Sequence, residues 1–283
     1  MGTLEIKKTE YHTQAVGNRL KGLVWRNKEV ETNPMIEAHV EHDIGVMFMF
    51  KAKDSILRDC FGSAPKTSRP YLDSYLVDIS IFEILYNKYS SQGKGIKFEF
   101  VFITDKEYID YTGNTDISTA ATEFLYFIAT PIDNNDDPIN EHYIIFNLNH
   151  RFEIGKDYIG DESLDRLRNR YLSKDIFNNM ITYSTPVKPT EHIYYSWADI
   201  NNILIERNGS SKLYKEVEFS FGEVIEYDII VDYFKKYSYY KFDAAKYKSA
   251  YGDHERKLTI LGRYMPDDMS GSEGYFDMGS LYP

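Results

Sequence analysis

In the stretch Ile96-Lys97-Phe98-Glu99-Phe100-Val101-Phe102, every second residue is Ile or Phe, with Lys97, Glu99 and Val101 between them. Successive side chains of a strand point to opposite faces, so this pattern predicts a β-strand with one buried aromatic face. Just before it, Ser91-Gln-Gly-Lys-Gly95 reads as a connector. Upstream of that connector, Leu72, Leu76, Ile79, Phe82 and Tyr86 recur at spacings of three and four. That spacing, with Pro70 in a first turn, predicts a helix that stops near Ser91.

Working outward toward the C-terminus, Thr122–Thr130 and His142–Asn149 fit further strands. The polar loop Pro131–Asn140 separates them, as in an antiparallel sheet joined by hairpins. Leu164, Leu167, Tyr171, Phe177 and Met180 make an apolar helical stripe across 161–181, beside Arg166, Arg168 and Arg170. Ser196-Trp-Ala-Asp199 has the form of a capping box and predicts a short helix. Val217, Phe219 and Phe221 alternate, as do Ile225, Tyr227, Ile229, Val231 and Tyr233, which predicts two more strands, with a last one at Arg256–Tyr264. Toward the N-terminus, Asp43–Lys51 (DIGVMFMFK) is a nearly continuous apolar run of strand length, expected as a strand covered on both faces. The fold class expected is α+β: mainly antiparallel mixed sheets, two or three helices, and extended N- and C-terminal arms. Residues 1–264 are expected to form a single α+β domain, with a sub-boundary near 188 as the alternative because Pro186 and Pro189 lie there. Residues 265–283 are expected to form an extended C-terminal arm.

Composition narrows the function classes. The single cysteine, Cys60, excludes an intramolecular disulfide and any multi-cysteine zinc site. No stretch approaches the roughly 20 apolar residues of a membrane helix, and Met1–Gln14 carries no apolar signal core, so neither a membrane nor export is expected. With 33 basic against 44 acidic residues the net charge is −11, so nucleic acid is repelled except at a local patch. Twenty-five tyrosines suit protein–protein contact surfaces, because tyrosine offers a large ring and a hydroxyl together; codon usage in an AT-rich genome is the competing explanation.

Three segments carry candidate chemistry. If Glu37-Ala-His39-Val-Glu41-His42-Asp43 is a strand, Glu37, His39, Glu41 and Asp43 share one face and would seat a divalent metal; the alternative is a solvated edge ahead of a core strand. Asp133-Asn-Asn-Asp-Asp137 starts like a calcium loop, but Pro138 stands at the sixth position and Ile144 at the twelfth, which favours a polar hairpin loop. In Lys235–Lys248, Lys235, Lys236, Tyr239, Lys241 and Lys246 would meet phosphates and bases; the competing explanation is an ordinary amphipathic helix ending at Gly252. No nucleophile elbow, zinc-protease helix or Cys-x-x-Cys pair occurs, so no catalytic residue and no cofactor is expected.

The terminus MPDDMSGSEGYFDMGSLYP combines Gly and Ser with the anchors Tyr275, Phe276, Met278, Leu281 and Tyr282. Glycine-rich ends fray unless something holds them, and a neighbouring subunit is the expected holder. The function expected is therefore a structural or interaction subunit of a large assembly, forming homo-oligomers and meeting other subunits through its arms. A bacteriophage virion component such as a head-to-tail connector, ring or tail protein, assembled in the host cytoplasm, is the specific form. The alternatives are a metal-dependent nuclease or phosphoesterase built on Glu37–Asp43, and a monomeric binding module.

Overall fold

The computed structural model describes residues 39–40, 42–54, 74–115, 123–173, 190–201, 205, 214–236, 242–266, 275–277 and 280–282. The strands are β1 (His39–Val40), β2 (Ser74–Asp78), β3 (Gly95–Thr104), β4 (Glu123–Ile132), β5 (His142–Tyr143), β6 (Tyr158–Ile159), β7 (His192–Ser196), β8 (Tyr214–Glu223), β9 (Leu258–Pro266), β10 (Tyr275–Asp277) and β11 (Ser280–Tyr282). The helices are α1 (His42–Asp54), α2 (Ile79–Tyr89), α3 (Asp105–Thr112), α4 (Asp161–Leu172), α5 (Trp197–Ile200), α6 (Tyr227–Lys236) and α7 (Ala244–Tyr251). This is the α+β class with antiparallel sheets, in two layers: a five-stranded sheet ordered β1-β10-β9-β8-β2 and a six-stranded sheet ordered β11-β7-β3-β4-β5-β6.

Aromatic rings hold the layers together. Phe98 and Phe127 of the second sheet meet Phe219 of the first at centroid distances of 6.0 and 5.9 Å, and Phe100 meets Phe221 at 6.0 Å. The alternation at 96–102 is thus the inner face of a sandwich. The opposite face of β3 is also buried, since Val101 and Ile103 have no exposed surface, so β3 is a central strand and not the half-solvated one its lysine and glutamate suggest. Beyond Glu99, β3 loses β7 as a partner, and α4 takes the vacated border. Arg170 donates from Nη1 to the Phe102 carbonyl at 3.0 Å, satisfying an acceptor that the ladder leaves open.

Two expected strands are helices. In α1 the buried Ile44, Met47, Phe48 and Ala52 fall at spacings of three and four, and Phe48 packs against Gly222 on the outer side of β8. An unbroken apolar run contains both periods, and only its continuation through Lys51-Ala-Lys-Asp54 gives the helix away. In α6 it is Ile230, Tyr233 and Phe234 that turn inward, while Ile229, part of the expected alternation, is 51% exposed. The helix expected from Pro70 begins only at Ile79. Before it, β2 alternates with Tyr75 and Val77 buried and Leu76 and Asp78 exposed, and Asp78 then caps α2 by accepting from the Ser80 N–H at 2.8 Å. The strand expected over His142–Asn149 is confined to His142–Tyr143. The capping box at Ser196 and Asp199 forms as expected, and α4 buries Leu164, Leu167 and Tyr171 of the expected stripe. Phe177, Met180 and the sub-boundary near 188 lie outside the described residues.

β2 borders the first sheet, and one residue blunts its outer edge. Asn147 accepts the Leu76 N–H on its side-chain Oδ1 at 2.8 Å and donates its own backbone N–H to the Leu76 carbonyl at 2.9 Å. It does so in the left-handed region, φ 48, which asparagine tolerates better than most residues. Replacing Asn147 by Ala is expected to cost roughly 1–3 kcal/mol, because Leu76 N–H loses its acceptor at a strained backbone position. Urea unfolding would measure it, and an unchanged midpoint would contradict the role.

Candidate functional site

The metal cluster read from sequence is not carried on one strand. His39 lies in β1, whereas Asp43 lies in the first turn of α1, so the shared strand face does not extend to Asp43. Glu37 and Glu41 lie outside the described residues, as does Cys60. Among the described residues no group of three His, Cys, Asp or Glu side chains is placed to hold a metal. No helix among them is long and apolar enough to cross a membrane.

The Lys235–Lys248 segment is not one helix: α6 ends at Lys236, and α7 begins at Ala244. Asp243 caps α7 by accepting from the Ala245 and Lys246 N–H groups, Gly252 ends the helix, and Tyr247 is buried with its hydroxyl donated to the Ile225 carbonyl at 2.6 Å. Lys235, Lys236 and Lys246 are exposed, and Lys248 stands 5.2 Å over the Tyr227 ring. Tyr239 and Lys241 lie outside the described residues. Asp133–Asp137 is the polar hairpin loop preferred for it: Asp133 Oδ1 accepts from the N–H groups of Asn135 and Asp137, and Lys94 pairs with Asp136 at 2.9 Å.

The terminus pairs with its own chain. Tyr275 and Phe276 lie opposite Val40 and His39, Phe276 and Asp277 opposite Gly262 and Leu261, and Ser280–Tyr282 opposite Tyr194–His192. A neighbouring subunit is therefore not required to hold it, which removes that physical argument for assembly. Met278 lies outside the described residues. The tyrosines also point the other way from expectation. Tyr75, Tyr89, Tyr126, Tyr143, Tyr171 and Tyr195 are fully buried, and Tyr158, at 42% exposure, is the one tyrosine standing in solvent among those of residues 74–264 whose burial is described. Carbonyls receive the hydroxyls of Tyr126 and Tyr171, so these tyrosines belong to the core.

Four titratable clusters were invisible in the sequence because their members are far apart along the chain. His142 bridges Thr130 Oγ1, 2.9 Å from its Nδ1, and Asp161 Oδ1, 2.8 Å from its Nε2. Hydroxyl, imidazole and carboxylate in a row are the parts of a nucleophilic triad. Thr130 has no exposed surface, however, so the row serves as a tie between β4, β5 and α4. Glu141 accepts from Lys88 Nζ at 2.6 Å and from the hydroxyls of Tyr89 and Tyr143, which are themselves 2.6 Å apart. Burial disfavours its charge, but these donors outweigh burial and hold its pKa at about 2. Glu107 closes the α3 capping box and accepts from Arg170 at 2.6 Å and Arg166 at 2.5 Å; burial is again outweighed and the pKa lies at about 2. Glu99, 3% exposed, lies opposite His192 in the ladder with Arg168 Nε at 3.6 Å. Burial raises the pKa of Glu99 despite Arg168, and burial, Lys97 and Arg168 lower that of His192 to about 4.

These shifts fix a pH dependence. Glu107 and Glu141 are depressed in the folded state, so their stabilisation is complete above the unfolded value near 4.5 and is lost as pH falls toward about 2. His192 resists protonation when folded, so its loss begins earlier, between about 6.5 and 4. Glu99 acts in the opposite sense, since its raised pKa means that protonation favours the folded state, but three lowered groups oppose it and the melting temperature is expected to fall from about pH 6.5 downward. A Glu107→Gln, Glu141→Gln double variant is expected to melt lower at pH 7 and to fall less steeply below about pH 4.5. Parallel curves for the two proteins would show that neither carboxylate matters.

A cleft of about 540 Å³ opens between α2, β2 and the segment 144–152. Ile81, Ile84, Ile145, Leu148 and Phe152 supply its apolar lining, while Asp78, Glu83, Glu216 and Arg151 bring charge. Comparison of the chain with family models, curated proteins and solved structures finds no match to any of them.

Proposed function

We propose that this chain is a structural or interaction subunit of a larger assembly and acts without catalysis. The observation that supports this is the placement of β11 at the border of the second sheet, where its three residues have β7 as their partner. A border strand this short makes the same backbone hydrogen bonds whether its own chain or another copy supplies it, and exchange of an identical element is a low-cost route to oligomers. The bacteriophage form of the proposal, a connector, ring or tail protein, rests on composition. The nuclease alternative loses one support, because Asp43 lies in α1 and not on a strand face shared with His39. The binding-module alternative would use the cleft beside α2 without oligomers.

The test is the mass of the purified protein in solution at several concentrations, full length and ending at Met269. The full chain is expected to form oligomers, and the shortened chain, with its helical and sheet content checked by circular dichroism, is expected to be monomeric. A full-length monomer at tens of micromolar would overturn the proposal, whatever the truncation does.

A further inference from the structure

We infer that the cleft between α2, β2 and residues 144–152 is a docking groove for a partner protein's segment carrying Arg or Lys between apolar residues. This deepens the assembly proposal and rests on it. The groove has a defined wall: Ser80, Glu83, Ile84 and Asn87 follow the i, i+3, i+4, i+7 spacing of one face of α2 and all line the cleft. A volume of about 540 Å³ suits a few side chains of a short segment and not a whole domain.

Charge selects the occupant. Asp78 and Glu216 stand directly opposite each other in the β2–β8 ladder, a like-charge pairing that destabilises a sheet. Two residues along, Glu218 faces Leu76, and its charge is answered across the next strand by Arg263 at 2.5 Å. Among the described residues no ion pair answers Asp78 or Glu216. Asp78 and Glu216 both line the cleft, so a cation entering it there relieves their like-charge pairing. The apolar lining then takes the residues flanking that cation. Strand addition is not the mode at Leu76, since Asn147 already occupies both of its backbone groups, so side chains must carry recognition.

The probe is a random octapeptide library panned against the full chain, followed by titration calorimetry of the enriched peptides. Enriched peptides are expected to carry Arg or Lys flanked by apolar residues. Binding is expected to weaken about tenfold or more in Glu216→Gln and in Asp78→Asn, the latter keeping the α2 cap. In Arg151→Ala it is expected to be unchanged or tighter. No enrichment, enrichment of peptides lacking a basic residue, or indifference to both charge removals would each overturn the inference. The mass of the same preparations separates the two proposals. A monomer that binds these peptides keeps the groove and removes the assembly reading, whereas an oligomer that ignores them removes the groove alone.

Discussion

Replacing Gly93 by Ala is expected to destabilise the protein by roughly 3 kcal/mol, at the upper end of what overpacking costs. The glycine lies in the connector between α2 and β3, its N–H donating to the Tyr89 carbonyl at 3.0 Å while the end of β4 passes directly over its Cα. A Cβ there would overlap the Ile132 carbonyl oxygen, which is backbone and cannot rotate away. Gly95, two residues on, meets the Tyr195 carbonyl of β7 in the same manner. The two glycines thus let β3 enter between β4 and β7, and a shift at either one disturbs both ladders. Thermal or urea unfolding of Gly93→Ala would show this, and a midpoint within error of the parent would refute the close approach.

Removing the Phe127 ring is expected to cost still more, about 3–5 kcal/mol for Phe127→Ala. Its ring lies at the meeting of the layers, with centroids 5.1 Å from Phe98, 3.7 Å from Phe146, 5.9 Å from Phe219 and 6.0 Å from Phe221. Truncation removes contacts to both sheets and leaves a cavity that neighbouring rings are too rigid to fill. Tyr158→Ala makes the control, because that ring is 42% exposed and its loss should stay within about 0.5 kcal/mol.

Residues that combine a clear period with a clear stop were legible in the sequence. β3 follows from alternation and glycine, and α5 follows from Ser196 and Asp199, because both signals are local. The strands expected at α1 and α6 are helices because the local signal there is degenerate: a run dense in apolar residues contains both periods, and in α6 it is Ile230 and Phe234, outside the alternating set, that join Tyr233 on the buried face. The site was harder still. The cleft draws on residues 76–87, 114, 145–152 and 216, brought together by an antiparallel ladder and by one left-handed asparagine. The direction of the tyrosines was equally hidden, since composition counts hydroxyls without saying which carbonyls they will find.

β1 consists of two residues at the border of its sheet, and β10, more than 230 positions further along, is its partner. Whatever peels β10 from β9 releases β1 in the same event, so the amides of 39–40 and 275–277 that are bonded within the ladder should share one opening free energy for hydrogen exchange, as a single unit. A protease nicking near one of these segments would then expose the other, although the two never meet along the covalent chain.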